Sequence, residues 1–127
     1  MVQGGVERMI YPLLALTIVL NASAQLILKK GANVTEMPGR FGSEWFHSFV
    51  LNPYILSGIV LYGLSFFIYF RLLKELDLSF ASPVVMASAF ILVYIFSASL
   101  LGETITLYKV AGLALIISGL IVMFAGR

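Results

Sequence analysis

The sequence predicts an all-α membrane protein made of a single domain with four transmembrane helices. Of the 127 residues, 61% are hydrophobic and 11% are charged, and the mean hydropathy of +1.03 exceeds what a soluble domain of this length needs. The apolar residues also gather into four runs, each close to the ~20 residues with which a helix crosses a ~30 Å hydrocarbon core. We predict helices at roughly residues 9–30, 53–74, 79–101 and 105–126.

The first predicted span carries a polar side chain at every fourth position. These residues are Thr17, Asn21, Gln25 and Lys29. Residues four apart are neighbours on a helix surface, so the four form one stripe, and a polar stripe at membrane depth is costly and rarely without a role. It holds a hydroxyl, two amides and a cation, and it lacks a carboxylate. We expect the span to end at the basic turn before Gly31.

Two roles remain open for this stripe. Asn21 and Gln25 either bind a polar group or hydrogen-bond to another helix, at about 0.6 kcal/mol each. Lys29 lies ~12 Å along the helix from Asn21, which places its ammonium at headgroup level if Asn21 is near the midplane. Lys29 and Lys30 are therefore either partners of an anionic group or ordinary interfacial anchors.

The same segment has some features of a cleavable signal. Arg8 precedes the apolar run, and Ala22-Ser23-Ala24 resembles a cleavage site. The apolar run resumes at Leu26, however, and Asn21 is an unusual end for a signal's apolar region. We expect the segment to be retained as the first helix.

Aromatic residues recur every four positions between the first and second spans. Phe41, Trp45 and Phe49 share one side, with Phe46 and Val50 beside them. This spacing predicts a short amphipathic helix lying in the membrane interface, with its aromatic side towards the acyl chains. The alternative is a loop packed on the helix ends.

The second span has a polar side of its own. Gly58, Tyr62, Ser65 and Tyr69 follow one another at intervals of four, three and four residues. Tyrosine has an apolar body and a polar tip, so Tyr62 and Tyr69, with Tyr94 in the third span, are candidate walls of a binding site. Packing between helices is the alternative for each tyrosine.

Further candidates lie near the span ends and in the fourth span. Glu103 and Arg71 are candidate proton or headgroup sites, and the favoured alternative for Glu103 is that it caps or anchors the turn between the third and fourth spans. Gly112 and Gly119 are seven residues apart and share one helix face. Because small residues let another helix approach closely, they form a candidate dimer interface.

The basic residues do not predict an orientation. With four spans, both termini lie on one side of the membrane, and four Lys or Arg residues fall on each side. On one side they are Arg8, Arg71, Lys74 and Arg127, and on the other Lys29, Lys30, Arg40 and Lys109. Membrane proteins usually carry more Lys and Arg on the cytoplasmic side, which is the positive-inside rule. The balance seen here either permits pairing with an inverted copy or shows that this rule is weak for this chain.

The composition also excludes several classes of site. There is no cysteine, so disulfides are excluded, and a single histidine (His47) makes a transition-metal centre unexpected. The net charge of +2 is too small to indicate nucleic acid as a partner. We expect no cofactor, no metal and no enzymatic activity.

Two motifs resemble those of the small multidrug resistance superfamily. The run Asn21-Ala22-Ser23-Ala24-Gln25-Leu26 followed by Lys29 is similar to its first helix, and most similar to the small flippase subunits for undecaprenyl phosphate-aminoarabinose. The run from Gly112 to Val122 resembles its glycine-spaced dimerisation segment. Gly102-Glu103 resembles a junction of the wider drug/metabolite transporter group. The resemblance covers nearly the whole chain.

The resemblance implies a transporter that works as a dimer in the bacterial inner membrane. Drug-exporting members carry a glutamate eight residues before a helix 1 lysine, where this sequence has Asn21. The leading hypothesis is therefore a flippase for a polyprenyl phosphate-linked sugar or a related anionic lipid headgroup. The alternatives are a proton-coupled exporter of small cationic or polar compounds and a non-transporting partner subunit. Two compositions of the expected dimer remain open. It is formed either by two copies of this chain, which can be antiparallel, or by this chain and a similar small subunit.

Overall fold

The structure is a computed structural model that describes residues 2–36 and 39–126. Five helices follow one another in the chain. They are α1 (Val2–Val34), α2 (Ser43–Val50), α3 (Pro53–Leu72), α4 (Leu78–Leu101) and α5 (Leu107–Ala125). α1, α3, α4 and α5 are long and apolar enough to span a membrane. The predicted fold class, four spans with a short helix after the first, is confirmed.

α1 is the central helix of the bundle. It packs extensively along α3 and, to a lesser extent, on α4, whereas α3 and α4 have little direct contact with each other. α5 packs mainly on α4, through contacts that include the perpendicular rings of Phe80 and Phe124, 5.3 Å apart. This arrangement leaves a gap between α3 and α4 with α1 beneath it.

Two glycines let α1 and α3 approach closely. A Cβ built at Gly58 would lie 2.5 Å from Leu28 Cγ and 3.3 Å from the Ala24 carbonyl oxygen. A Cβ at Gly31 would lie 2.8 Å from Tyr54 Cβ. The expectation that α1 ends before Gly31 is therefore wrong, because this glycine continues the helix and makes room for α3.

α1 also begins earlier than the apolar run predicts. Its first turns extend beyond the apolar segment, and its 33 residues span about 50 Å, well beyond a ~30 Å hydrocarbon core. Val6, in the added turns, packs against the buried cluster that includes Ile10, Leu72 and Leu76 near the turn between α3 and α4. Hydropathy marks only the part of a helix that lies in lipid, whereas this packing stabilises the N-terminal turns.

The end of α1 is tied to the start of α3. The Asn52 side chain accepts hydrogen bonds from Tyr54 N at 2.9 Å and Ile55 N at 3.4 Å, and its amide group donates to Thr35 Oγ1. Pro53 occupies the first helical position, where its missing N–H is least costly. Asn52 therefore caps α3 and holds it against the segment that follows α1.

Three aromatic residues form one row, with Phe41 just before α2 and Trp45 and Phe49 within it. The Trp45 ring lies 5.1 Å from the Phe41 ring and 5.3 Å from the Phe49 ring, measured between centroids. No residue of α2 is buried, and Phe41 and Phe46 are strongly exposed. The segment is thus a helix with an exposed aromatic side rather than an irregular loop.

Candidate functional site

A polar groove lies in the gap between α3 and α4. Its volume is about 240 Å³, and α1 forms its base. We call it the α1 groove, and the residues lining it are Thr17, Asn21, Tyr62, Ser65, Phe66, Tyr69, Ser82, Val85 and Met86. Thr17 and Ser65 are buried, whereas Phe66 and Met86 are exposed at its edges. The groove therefore runs from a buried polar floor to an open apolar rim.

The floor is held by hydrogen bonds to the backbone of α1. Ser65 Oγ donates to the Thr17 carbonyl oxygen at 3.1 Å, which joins α3 to α1 at this depth. Thr17 Oγ1 donates back to the Leu13 carbonyl oxygen at 2.8 Å. Both hydroxyls thus have partners within the protein, as buried polar groups require.

The two amides of the stripe bond to each other. Gln25 Nε2 donates to Asn21 Oδ1 at 2.8 Å, within α1 rather than to a neighbouring helix. This contact uses the oxygen of Asn21, and Asn21 Nδ2 has no hydrogen-bond partner among the described residues. Asn21 lines the groove and Gln25 does not, so Gln25 fixes Asn21 while Asn21 offers its donors to the groove.

Ser82 is a groove residue that the sequence reasoning missed. It lies one turn into α4 and faces the same space as Tyr69, near the end of α3. Only the five residues 73–77 separate α3 from α4, so positions equally distant from this turn lie at similar depth. Because α4 has no continuous polar stripe, spacing along α4 does not identify Ser82. Its depth in the bundle, which matches that of Tyr69 on the other side of the turn, is the signal that could have identified it.

The two lysines at the end of α1 have different surroundings. Lys30 Nζ lies 5.6 Å from the centre of the Tyr54 ring, a cation–π contact that anchors it to α3. Lys29 is exposed and is not part of the groove lining. The stripe therefore divides into groove residues (Thr17 and Asn21), a supporting amide (Gln25) and a cation beyond the groove.

The chain matches the EamA-like transporter family over residues 8–125, which is nearly its whole length. It belongs to the EamA-like transporter family. The predicted resemblance is therefore confirmed at the level of the drug/metabolite transporter superfamily. The match covers all four spans, so the α1 groove belongs to the transporter domain.

A curated relative and the solved structures add little about substrate. The uncharacterised protein y4nH of Sinorhizobium fredii is 33% identical over 76 residues, which are 60% of this chain and 65% of y4nH. The chain thus covers slightly less than two thirds of that relative. No solved structure matches this EamA-like chain.

Tyr94 and Glu103 do not face the α1 groove of this EamA-like protein. They line a separate cavity of about 380 Å³ between α4 and α5, together with Gly112 and Lys109. Ser82 and Tyr94 are twelve residues apart, which turns them ~120° from each other around α4. The structure thus brings Asn21, Tyr62, Ser65 and Tyr69 together and places Tyr94 elsewhere.

Arg71 lies far from the other candidate headgroup residue. It forms an exposed ion pair with Glu75 at 3.0 Å, one turn further along the chain. The 24 residues of α4, about 36 Å, separate this end of the bundle from Glu103. Arg71 and Glu103 therefore cannot act on one headgroup at the same time within one chain.

The glycines of α5 make no close contact in the described part of the chain. A Cβ at Gly112 or Gly119 would meet no atom within 4 Å, in contrast to Gly31 and Gly58. All of α5 is described, and none of its residues is buried. Packing within one chain therefore does not account for these two glycines.

Proposed function

We propose that this chain forms half of a dimeric flippase, which moves a polyprenyl phosphate-linked sugar or a related anionic lipid headgroup across the bacterial inner membrane. The observation that carries the proposal is the chemistry of the α1 groove. Its polar groups are hydroxyls and one amide, and no Asp, Glu, Lys or Arg side chain lines it in the described part of the chain. Such a surface suits sugar hydroxyls and phosphate oxygens rather than an exchanged cation.

The shape of the groove supports a lipid substrate. Phe66 and Met86 are 64% and 62% exposed at the rim of the groove. A headgroup inside the groove can therefore remain joined to a tail that stays in lipid. Because only the headgroup needs polar surroundings, a small four-helix chain can serve a substrate much longer than the groove.

The volume of the groove supports a dimer. About 240 Å³ is below the ~300–1,000 Å³ of typical small-molecule pockets, so one groove does not enclose a sugar phosphate. Two grooves facing each other would form a larger chamber. The unburied face of α5 with Gly112 and Gly119 is the surface that we assign to pairing, either with a second copy or with a similar small subunit.

In this proposal, Lys29 makes the transporter specific for anionic headgroups. It follows Asn21 by two turns, about 12 Å along α1, and its ammonium reaches headgroup level. Lys30 is held by Tyr54, which leaves Lys29 as the cation in line with the groove. A phosphate that enters the α1 groove would pass Lys29 first.

Transport by protein purified with its natural membrane partners tests the proposal. In liposomes, we expect the wild type to move a polyprenyl phosphate-sugar to the other leaflet. Asn21→Ala should slow this movement at least tenfold and Lys29→Ala severalfold, whereas the matched control Lys30→Ala should stay within twofold of the wild type. An inactive wild type, or an Asn21→Ala variant as fast as the wild type, would contradict the proposal.

The alternative, proton-coupled export of small cationic or polar compounds, has less support. It requires a titratable carboxylate on the substrate path, and the described lining of the α1 groove has none. Glu103 lines the separate cavity between α4 and α5. Proton release from the protein on addition of a cationic drug would favour export over lipid flipping.

A further inference from the structure

The end of the α1 groove nearest to the turn between α3 and α4 carries two hydroxyls, one from each side. Tyr69 lies three residues before the end of α3 and Ser82 four residues after the start of α4, so each is ~4–6 Å from the turn along its helix. Both line the groove. We call Tyr69 and Ser82 the hydroxyl pair.

Both hydroxyls of the pair are free to bind a molecule in the groove. Neither oxygen has a hydrogen-bond partner among the described residues, and both side chains are half-buried. In that part of the chain, Tyr94 Oη is the one side-chain polar atom that is both buried and without a partner, so the oxygens of Tyr69 and Ser82 are accessible. The hydroxyls of Thr17 and Ser65, in contrast, are already bonded to backbone carbonyls.

Asn21 lies further from the turn than the hydroxyl pair. The first turns of α1 pack near the turn between α3 and α4, so depth increases along α1. Ser65 bonds to the Thr17 carbonyl oxygen, which puts these two residues at one depth, and Asn21 is one turn of α1, ~6 Å, beyond them. Asn21 Nδ2 offers donors only, which suit phosphate oxygens, whereas a hydroxyl both donates and accepts, as sugar hydroxyls do.

The rim of the groove sets the direction in which a lipid headgroup lies. Phe66 and Met86 are ~9–12 Å from the turn along their helices, beyond the hydroxyl pair and on the side of Asn21. A tail that leaves over this rim is joined to the phosphate of the headgroup. The sugar is the end without a tail, so it points from the rim towards the turn, where the hydroxyl pair lies.

We propose that Tyr69 and Ser82 bind the sugar of the transported lipid, while Asn21 binds its phosphate. This inference rests on the proposed function, because it assigns the two parts of the headgroup to the two ends of the groove. The hydroxyls of the pair exchange hydrogen bonds with sugar hydroxyls. The second chain of the dimer covers the open side of the headgroup, since one groove does not enclose it.

A second phosphate is a poorer occupant of the turn end of the groove. No Lys or Arg side chain lines the groove in the described part of the chain. Arg71, close to the turn, lies outside the lining and forms its ion pair with Glu75. Two neutral hydroxyls without a cation match a neutral, hydroxyl-rich group better than a second anion.

Native mass spectrometry with two added lipids tests the proposal. One is a polyprenyl phosphate that carries a single glucose, and the other is the same polyprenyl phosphate without a sugar. We expect the wild type to retain the glucosylated lipid about fivefold better, because it gains hydrogen bonds. Ser82→Ala and Tyr69→Phe should each lower this preference about threefold and leave retention of the sugar-free lipid unchanged. Asn21→Ala should weaken retention of both lipids by the same factor.

Two matched variants serve as controls. Ser88 and Tyr108 lie outside the lining of the α1 groove, so Ser88→Ala and Tyr108→Phe should leave the preference and both retentions unchanged. Retention of the sugar-free lipid also shows that each variant is folded.

Equal retention of the two lipids by the wild type would overturn the inference. A loss in Ser82→Ala and Tyr69→Phe that is the same for both lipids would overturn it as well. Retention does not require the lipid to cross the membrane. A protein that selects the glucosylated lipid without moving it contradicts only the proposed transport, and one that moves both lipids without selecting the sugar contradicts only this inference.

Discussion

Gly58 of α3 lies directly over Leu28 of α1, with room for a hydrogen atom and not for a methyl group. A Cβ at position 58 would come within 2.5 Å of Leu28 Cγ. The contact lies on the same pair of helices as the α1 groove, since Ser65 follows Gly58 by two turns of α3. The approach of the backbones at Gly58 thus determines how closely the groove residues of α1 and α3 meet.

Gly58→Ala should destabilise the protein by about 1–3 kcal/mol, because overpacking forces the helices apart. Gly63→Ala is the matched control, since a Cβ there meets no atom within 4 Å. Thermal unfolding in detergent measures the difference. The double variant with Leu28→Ala should recover much of the loss, because the clashing atoms are removed. Equal melting temperatures for the two single variants would refute this account of the contact.

Ser65→Ala should lower the free energy of unfolding by about 0.5–1.5 kcal/mol. The change removes the bond from Ser65 Oγ to the Thr17 carbonyl oxygen, which links α3 to α1. Ser57→Ala is the comparison, because Ser57 Oγ donates to the Pro53 carbonyl oxygen of its own helix and is exposed. We expect Ser57→Ala to stay within about 0.5 kcal/mol of the wild type.

Asn21→Asp should reduce flipping of an anionic lipid at least tenfold in the liposome assay. The substitution keeps the size of the side chain and places a carboxylate in a groove whose described lining is uncharged. A phosphate is then repelled where the wild type offers amide donors. Asn33→Asp, on the exposed last turn of α1, should have no effect. If Asn21→Asp transports as fast as the wild type, the anionic headgroup does not pass Asn21.

Trp45 should report the position of α2 in the membrane. It is the only tryptophan of the chain, and it lies between Phe41 and Phe49 in the aromatic row. We expect lipids brominated near the headgroup end of the acyl chain to quench its fluorescence more than lipids brominated near the methyl end. Quenching by neither lipid would place α2 in water and contradict an interfacial helix.

Arg71→Gln should leave both stability and transport close to wild-type values. The Arg71–Glu75 pair is exposed and local, and such pairs contribute about 0.2–1 kcal/mol at most. Arg71 also lies outside the lining of the α1 groove. A transport rate lowered more than threefold, with unfolding unchanged, would show instead that Arg71 meets the headgroup.

Hydropathy and local spacing predict the helices that cross the membrane or lie in its interface. The four spans and α2 follow from apolar runs and from the four-residue spacing of Phe41, Trp45 and Phe49. Gly31 shows where such reasoning fails, because a glycine after two lysines resembles a helix stop and only its contact with Tyr54 reveals its role. Local propensity carries no information about which helix will pack at that position.

The groove is predictable to the extent that one helix determines it. Spacing along α1 and along α3 predicts which residues share one face of each helix, and the structure brings Asn21, Tyr62, Ser65 and Tyr69 to one groove. The sequence does not show how α4 is rotated against α1. For this reason, sequence spacing does not identify Ser82 as a groove residue, and it groups Tyr94 with residues that it does not contact.

The loose attachment of α5 has a consequence for the order in which the protein assembles. α5 packs mainly on α4 and buries none of its residues, all of which the structure describes. It follows α1, α3 and α4 in the chain, so these three helices leave the ribosome before it and can already make the contacts that form the α1 groove. Synthesis therefore supplies the helices of the groove before the helix that we assign to pairing with another chain.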